Sequence, residues 1–366
     1  MSGRGLEGVL AAESAMSTIA DGRLVYRGIP VETAVNEGSY AEVAWLLWHG
    51  RLPTQAELSR LEDELAAAGE LPRDVVNRLR SLPPTTPMLV ALREGVGALA
   101  LTSQSSSLPS STPQSFAVRL VGALPAIAAQ FYHVAEGRPL FAPRVSGSLA
   151  ARFLHALRGE APSPQEARAL DQALILYADH ELNASTFAAR VVASTLADMY
   201  SAVIAALCTL KGPLHGGATG EVWRFLASVP SPVEAAPRVQ AALEVGQRIP
   251  GFGHRVYHGP DPRALVFRQL AARVGGQQRW LPVADAVAEA VYAHKGLYPN
   301  TDLYSVVFLQ ALGFQVELAT AVFALGRMAG WTAHILEQYA NNRLIRPRAQ
   351  YTGPEAAEWT PIGQRG

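Results

Sequence analysis

From Val31 onward, apolar residues recur at helical spacing, and the runs carry their own start and stop signals. EVAWLLWHG (42–50) halts at Gly50, and PTQAELSRLEDELAAAG (53–69) opens on Pro53 and Thr54 and closes on Gly69. SPQEARALDQALILYADHEL (163–182) begins with Ser163 and places Glu166 three residues on, the reciprocal pair of a capping box. Near the other end, VELATAVFALGRMAGWTAHILEQYA (316–340) reads as one long apolar helix, followed by a basic tail, NNRLIRPRAQYTG. Strand patterns are few; RLVYR (23–27) alternates and predicts a short strand or two near the start. The fold class expected is mainly α.

A length of 366 residues suggests about two domains. After Gly212 the texture changes, with Pro and Gly recurring at 212–220, 229–232, 250–262 and 296–299. A smaller unit is therefore expected over 213–320, inside a larger one formed by 1–212 and 321–366. TSQSSSLPSSTPQS (102–115) is the one low-complexity stretch and predicts a mobile surface loop. Lys and Arg together number 31, as do Asp and Glu, so there is no basic face to recruit nucleic acid or an anionic membrane. Cys208 is the single cysteine, which excludes a disulfide framework and fits a reducing, cytoplasmic compartment. The N-terminal residues lack the long apolar core of a signal peptide, and none is expected. Val191–Leu210 is long enough to span a bilayer, but Asp198 and several hydroxyls favour a buried core or subunit-interface helix.

The chemistry concentrates in four stretches: IPGFGHRVYHGPDPR (249–263), HELNASTFAAR (180–190), GPLHGGA (212–218) and YPNTDLYS (298–305). The first is too rich in Gly and Pro for a helix or strand interior and serves a turn or a close backbone approach. HELNA is not H-E-x-x-H, and His254 and His258 sit among breakers that forbid a common helical face, so no metal is expected. A phosphate loop, a dinucleotide fingerprint and a nucleophile elbow each fail on their required residues. What remains is a set of imidazoles, a carboxylate and several arginines. That inventory suits general acid–base work on a carbonyl compound bearing carboxylates, held by Arg263, Arg327 and Arg346. Asp302 is either the base or the N-cap of the helix that starts after it, and the two roles are compatible.

In order along the chain, HELNASTFAAR, KGPLHGGA, IPGFGHRVY with DPRA, YPNTDLYS and GRMAGWTAHILEQ with RLIRPRAQYTG resemble the citrate synthase family. GLEGVLAAES, GRLVYRGIP and EVAWLLWHGRLP resemble its N-terminal region, so the likeness covers nearly the whole chain. It implies a two-domain helical homodimer and an acyltransferase of the citrate (Si)-synthase type, with 2-methylcitrate synthase or a non-catalytic paralogue as alternatives. No permanent cofactor or metal is implied; acetyl-CoA is a co-substrate and oxaloacetate the acceptor. On that pattern Asp302 takes a proton from the acetyl methyl, His215 hydrogen-bonds the thioester oxygen, and His254 polarises and protonates the ketone. His180, Asn183, Arg263 and Arg327 bind oxaloacetate, with Arg346 reaching in from a partner subunit, and Ser185 and Asn183 orient the histidines. The coenzyme A pocket falls to Leu214, Ile249, Pro250, Gly251, Phe252, Gly253, Arg255, Val256, Tyr257 and Asn300, in the smaller domain. Four positions depart from the family pattern: Thr219-Gly220 for Asn-Glu, His258 for Lys, and Val306 for Gly.

Overall fold

A computed structural model of the chain describes residues 4–6, 8–20, 22–105, 112–139, 146–254, 257, 259–275, 280–356 and 358–365. Strands β1 (Ser17–Ala20), β2 (Arg23–Tyr26) and β3 (Ile29–Pro30) form an antiparallel sheet, with Ser17 opposite Tyr26 and Tyr26 opposite Ile29. Helices then follow without further strands among the described residues: α1 (Val31–Glu37), α2 (Tyr40–His49), α3 (Gln55–Ala68), α4 (Arg73–Arg80), α5 (Met88–Ser105) and α6 (Pro113–Ala135). Next come α7 (Leu149–Arg158), α8 (Pro164–Tyr177), α9 (Ala184–Ser194) and α10 (Met199–Leu210). The chain continues through α11 (Ala218–Ala227), α12 (Ala235–Glu244), α13 (Pro262–Val274), α14 (Trp280–Lys295), α15 (Thr301–Ala311) and α16 (Val316–Ala340). The mainly α class is borne out.

The punctuation read from the sequence holds locally. Ser163 caps α8 and Thr54 caps α3, each with its Glu three residues on completing a capping box. Two expectations are corrected. Val191–Leu210 is not one span: α9 ends at Ser194, and Asp198 starts α10 by accepting from Ser201 N–H at 2.9 Å. Its carboxylate offers a helix start that the apolar run does not advertise. The Ser-rich loop is shorter than 102–115, because α5 runs to Ser105 and Thr112 caps α6; residues 106–111 lie outside the described ones. The one helix long and apolar enough to cross a membrane among the described residues is α6, and most of it is buried in the protein.

Helix α16 is the spine. It packs against α2, α5, α6, α8, α9, α10 and α11, and residues from Leu318 to Gln338 are buried along it on nearly every side. Its approach to α8 is close because Gly330 has no side chain. A Cβ there would collide with Ala178 O and stand 2.5 Å from Asp179 Oδ1. Gly330 N–H instead donates to Ala178 O at 3.0 Å. Tyr26 and Tyr40, both fully buried, fasten the sheet and α2 to this joint. Tyr26 Oη donates within reach of Ile175 O and Asp179 O, and Tyr40 Oη within reach of Leu325 O and Gly326 O. The end of α8 therefore reaches the cleft on a fixed support.

Candidate active site

The turn after α8 carries His180. Ser17 of β1 clamps that turn: its hydroxyl donates to Asp179 Oδ2 at 2.5 Å and accepts from Glu181 N–H at 2.8 Å. Glu181 sits at φ 50°, a left-handed conformation that a non-glycine residue holds only when its surroundings impose it. Beneath, Asp179 is fully buried and takes a hydrogen bond from His334 Nε2 at 3.2 Å. Burial pushes the Asp179 carboxyl up, but His334, Arg327 and Ser17 outweigh it and hold the group below its ordinary range. The result of this scaffold is an imidazole aimed into the cleft. His180 Nε2 is enclosed and has no hydrogen-bond partner among the described residues. Desolvation, then the charges of Arg263 and Arg327, press its pKa well below the ordinary value, so the ring is neutral.

His254 faces His180 edge-on, ring centres 5.3 Å apart, and both pack on Tyr257. Tyr257 N–H donates to His254 Nδ1 at 3.1 Å, which makes Nδ1 the acceptor and leaves the ring proton on Nε2. Desolvation and Arg263 lower its pKa, in keeping with a neutral donor.

His215 stands on a tight turn between α10 and α11. Its Nε2 is 2.9 Å from Ser185 Oγ, and Ser185 Oγ is 2.8 Å from Asn183 Oδ1. Asn183 caps α9 through Thr186 N–H, which fixes how its amide points. Burial and then Arg327 bring the His215 pKa down to about 4. Phe323 of α16 lies 6.2 Å from the His215 ring and 4.8 Å beneath the Arg327 guanidinium, tying the two together.

Both arginines are interior. Arg263 and Arg327 are 5% and 2% exposed. Asp261 caps α13 and grips Arg263 through Nε at 3.1 Å and Nη2 at 2.8 Å, while Thr301 Oγ1 donates to Asp261 at 2.8 Å. Burial opposes the Arg263 charge, but Asp261 outweighs it and pushes the guanidinium above its ordinary range. Arg327 Nε donates to Tyr177 O at 2.7 Å; burial, unbalanced by any such carboxylate grip, lowers its pKa.

Asp302 is not the N-cap of α15, as the sequence allowed. Asn300 is, accepting from Asp302 N–H at 3.0 Å, and Asp302 sits in the first turn with its carboxylate released from capping. Burial raises its pKa to about 6, tempered by Arg263 and by a hydrogen bond from Thr219. Thr219, at the start of α11, thus puts a hydroxyl where the family pattern has an amide, and Val306 is fully buried one turn beyond Asp302. Loop 249–253 is stitched to 298–300: Gly253 N–H donates to Tyr298 O at 3.0 Å, Asn300 N–H to Gly251 O at 2.9 Å, and Asn300 Nδ2 to Gly253 O at 3.1 Å. Gly251 is at φ 87°, and a Cβ there would press on Val222 and Leu303 at 3.1 and 3.2 Å.

The structure therefore links His180, Asn183, Ser185, His215, His254, Arg263, Arg327 and Asp302 into one neighbourhood: the Arg263 charge is felt at His180, His254 and Asp302, the Arg327 charge at His180 and His215, and Ser185 joins Asn183 to His215. Ile249, Gly251 and Phe252 are buried in its rim with Tyr257, Pro250, Gly253 and Asn300 beside them, and Leu214 is 94% exposed next to His215. Arg346 is not gathered: it lies exposed on the extended tail beyond α16, where Ile345 N–H donates to Ser194 Oγ at 3.0 Å. Arg255, Val256 and His258 lie outside the described residues. Sequence reasoning assigned no role to Asp261, for which the Asp-x-Arg spacing of 261–263 was the available signal, and marked Thr219 only as a departure from the family pattern.

A family model described as "Citrate synthase, C-terminal domain" matches residues 5–348. The chain belongs to the citrate synthase family. It is 42% identical to citrate synthase 2 of Bacillus subtilis over 99% of each chain, and 37% identical to 2-methylcitrate synthase 2 of Corynebacterium glutamicum over 99% of this chain and 97% of that one. Among solved structures it resembles the ternary complex of Thermoplasma acidophilum citrate synthase with carboxymethyl coenzyme A and oxaloacetate, at a TM-score of 0.92 and 34% identity over 99% of each chain.

Proposed function

We propose that the chain condenses acetyl-CoA with oxaloacetate and hydrolyses the resulting citryl-CoA to citrate and coenzyme A. The observation that carries this reading is a carboxylate with a raised pKa that shares the field of the interior Arg263 with two neutral imidazoles, while a third neutral imidazole lies in the field of the interior Arg327. A carboxylate is too weak a base to ionise a thioester methyl group unaided; the step becomes feasible when the developing oxyanion meets fixed donors in a dry site. Asp302 removes the methyl proton, His215 hydrogen-bonds the thioester oxygen as it gains charge, and the enolate carbon attacks the ketone of oxaloacetate. His254, with its proton on Nε2, donates to the ketone oxygen as that oxygen becomes the citrate hydroxyl. Arg263 and Arg327 take the two carboxylates with His180 Nε2 and Asn183 beside them; each guanidinium offers a planar pair of donors. Arg346 completes the site from a partner subunit in a homodimer, and its exposed position on the tail is compatible with that reach. Unit 213–320, carrying loop 249–253 and Leu214, receives coenzyme A and closes over oxaloacetate, which keeps water from the thioester until both substrates are present. We place the reaction in the cytoplasm, in keeping with the single free cysteine.

Free thiol release from acetyl-CoA tests the reading. It is expected only when oxaloacetate is present. Silence from folded protein would leave the non-catalytic alternative. The 37% identity to a 2-methylcitrate synthase makes propionyl-CoA the necessary second substrate, since one methyl in an apolar pocket changes selectivity by only about 10–200-fold. Faster release from propionyl-CoA would assign the second activity.

A further inference from the structure

Trp331 is fully buried on α16, four residues after Arg327, and its indole Nε1 donates to Ser185 Oγ at 3.2 Å. Ser185 Oγ consequently meets three partners: Trp331 Nε1, Asn183 Oδ1 and His215 Nε2. The indole is a donor only, and Asn183 presents its oxygen because Thr186 N–H already binds it. A serine hydroxyl has one proton to give. The indole takes one lone pair, so that proton has two destinations, Asn183 Oδ1 or His215 Nε2. In the first setting His215 carries its proton on Nε2 and turns a bare Nδ1 to substrate. In the second, Ser185 donates to Nε2 and Nδ1 bears the proton that a thioester oxygen needs.

We propose that Trp331 is a positioning residue for His215, acting through Ser185. This rests on the reading of His215 as the imidazole that meets the thioester. The indole holds Ser185 Oγ between Asn183 Oδ1 and His215 Nε2. By donating to the oxygen it also polarises the O–H bond, making Ser185 a better donor to His215. The two settings are the two neutral tautomers of one ring and carry the same net charge: water that protonates Nδ1 takes up the proton released from Nε2, and the hydroxyl turns.

The test is a double-mutant cycle in the full chain. Trp331→Phe keeps the ring and removes the N–H; it is expected to lower kcat about tenfold, the scale of one hydrogen bond, with KM for oxaloacetate within about twofold. In a Ser185→Ala background the same substitution is expected to cost nothing further. An equal loss in both backgrounds, or no loss in either, overturns the proposal. Should Trp331→Phe fold poorly, a benzothiophene analogue of tryptophan placed at 331 keeps the bicyclic shape without the donor. Nitrogen-15 spectra of the His215 ring give an arm that needs no turnover, so an inactive wild-type protein, which would sink the functional reading, still tests this one. One neutral tautomer is expected in the wild type and a mixture in Trp331→Phe; identical spectra overturn the proposal.

Discussion

The two sides of the cleft are built by different means. The side proposed to meet carboxylates hangs on the helical core: Arg327 within α16, Arg263 at the start of α13, and His180 on a turn clamped by Ser17 and by the α8–α16 joint. The side proposed to meet the thioester is a set of turns, 212–217, 249–253 and 298–302, held mainly by backbone hydrogen bonds, with left-handed glycines at 251 and 253. Helix interiors fix charged side chains before any substrate arrives; turns give the shape of an acyl pocket and can shift without breaking a core. The contrast teaches that binding and chemistry are separable here, and substitutions can pull them apart.

The largest separation is expected at Asp302. Asp302→Asn should reduce turnover about 10²–10⁴-fold while leaving oxaloacetate affinity nearly intact, as read by isothermal titration. A collapse of affinity would make Asp302 an organiser of the carboxylate side. Arg346→Ala and Arg327→Ala should each lose most activity, and mixing the two should restore part of it through hybrid sites; no recovery despite proven subunit exchange counts against a shared site. The pH profile of turnover comes next. Asp302 acts as the ionised form, so activity should fall as pH drops through about 6, near tenfold per unit below it. His215, neutral above about 4, adds nothing to that limb. A limb unmoved in Thr219→Val would show that the Thr219 hydroxyl does not tune the base. The smallest effect contrasts two glycines. Gly330→Ala should destabilise the protein by about 1–3 kcal/mol through overpacking, and weaken oxaloacetate binding by lifting the end of α8. Gly251→Ala should cost about as much through its backbone, yet raise KM for acetyl-CoA instead. Thermal melts and paired KM values check both.

Much of this was legible because its causes are local. Ser163 with Glu166, and Thr54 with Glu57, announce their helices within four residues. Histidines placed beside Gly, Asn and Ser, and a Gly/Pro-rich stretch from 249 to 263, point to turns that carry chemistry. What stayed hidden depends on distance. Trp331 reaches Ser185 across 146 residues, Thr219 meets Asp302 from another helix, and the need for glycine at 330 arises from α8 on the far side of the contact. Asp302 read as a cap because a Pro-Asn-Thr-Asp turn offers three residues able to do it. Asn300 takes the role, and only backbone geometry decides between them.

The paired burial of Arg263 and Arg327 has a consequence for how the folded state is sustained. Two interior cations disfavour one another; Asp261 grips Arg263 directly, and Asp179 offsets Arg327 through its field alone. On the proposed reading, a doubly anionic ligand held between the two arginines would offset that repulsion and favour the folded state. Its binding would then lengthen the protein's survival of heat and proteolysis.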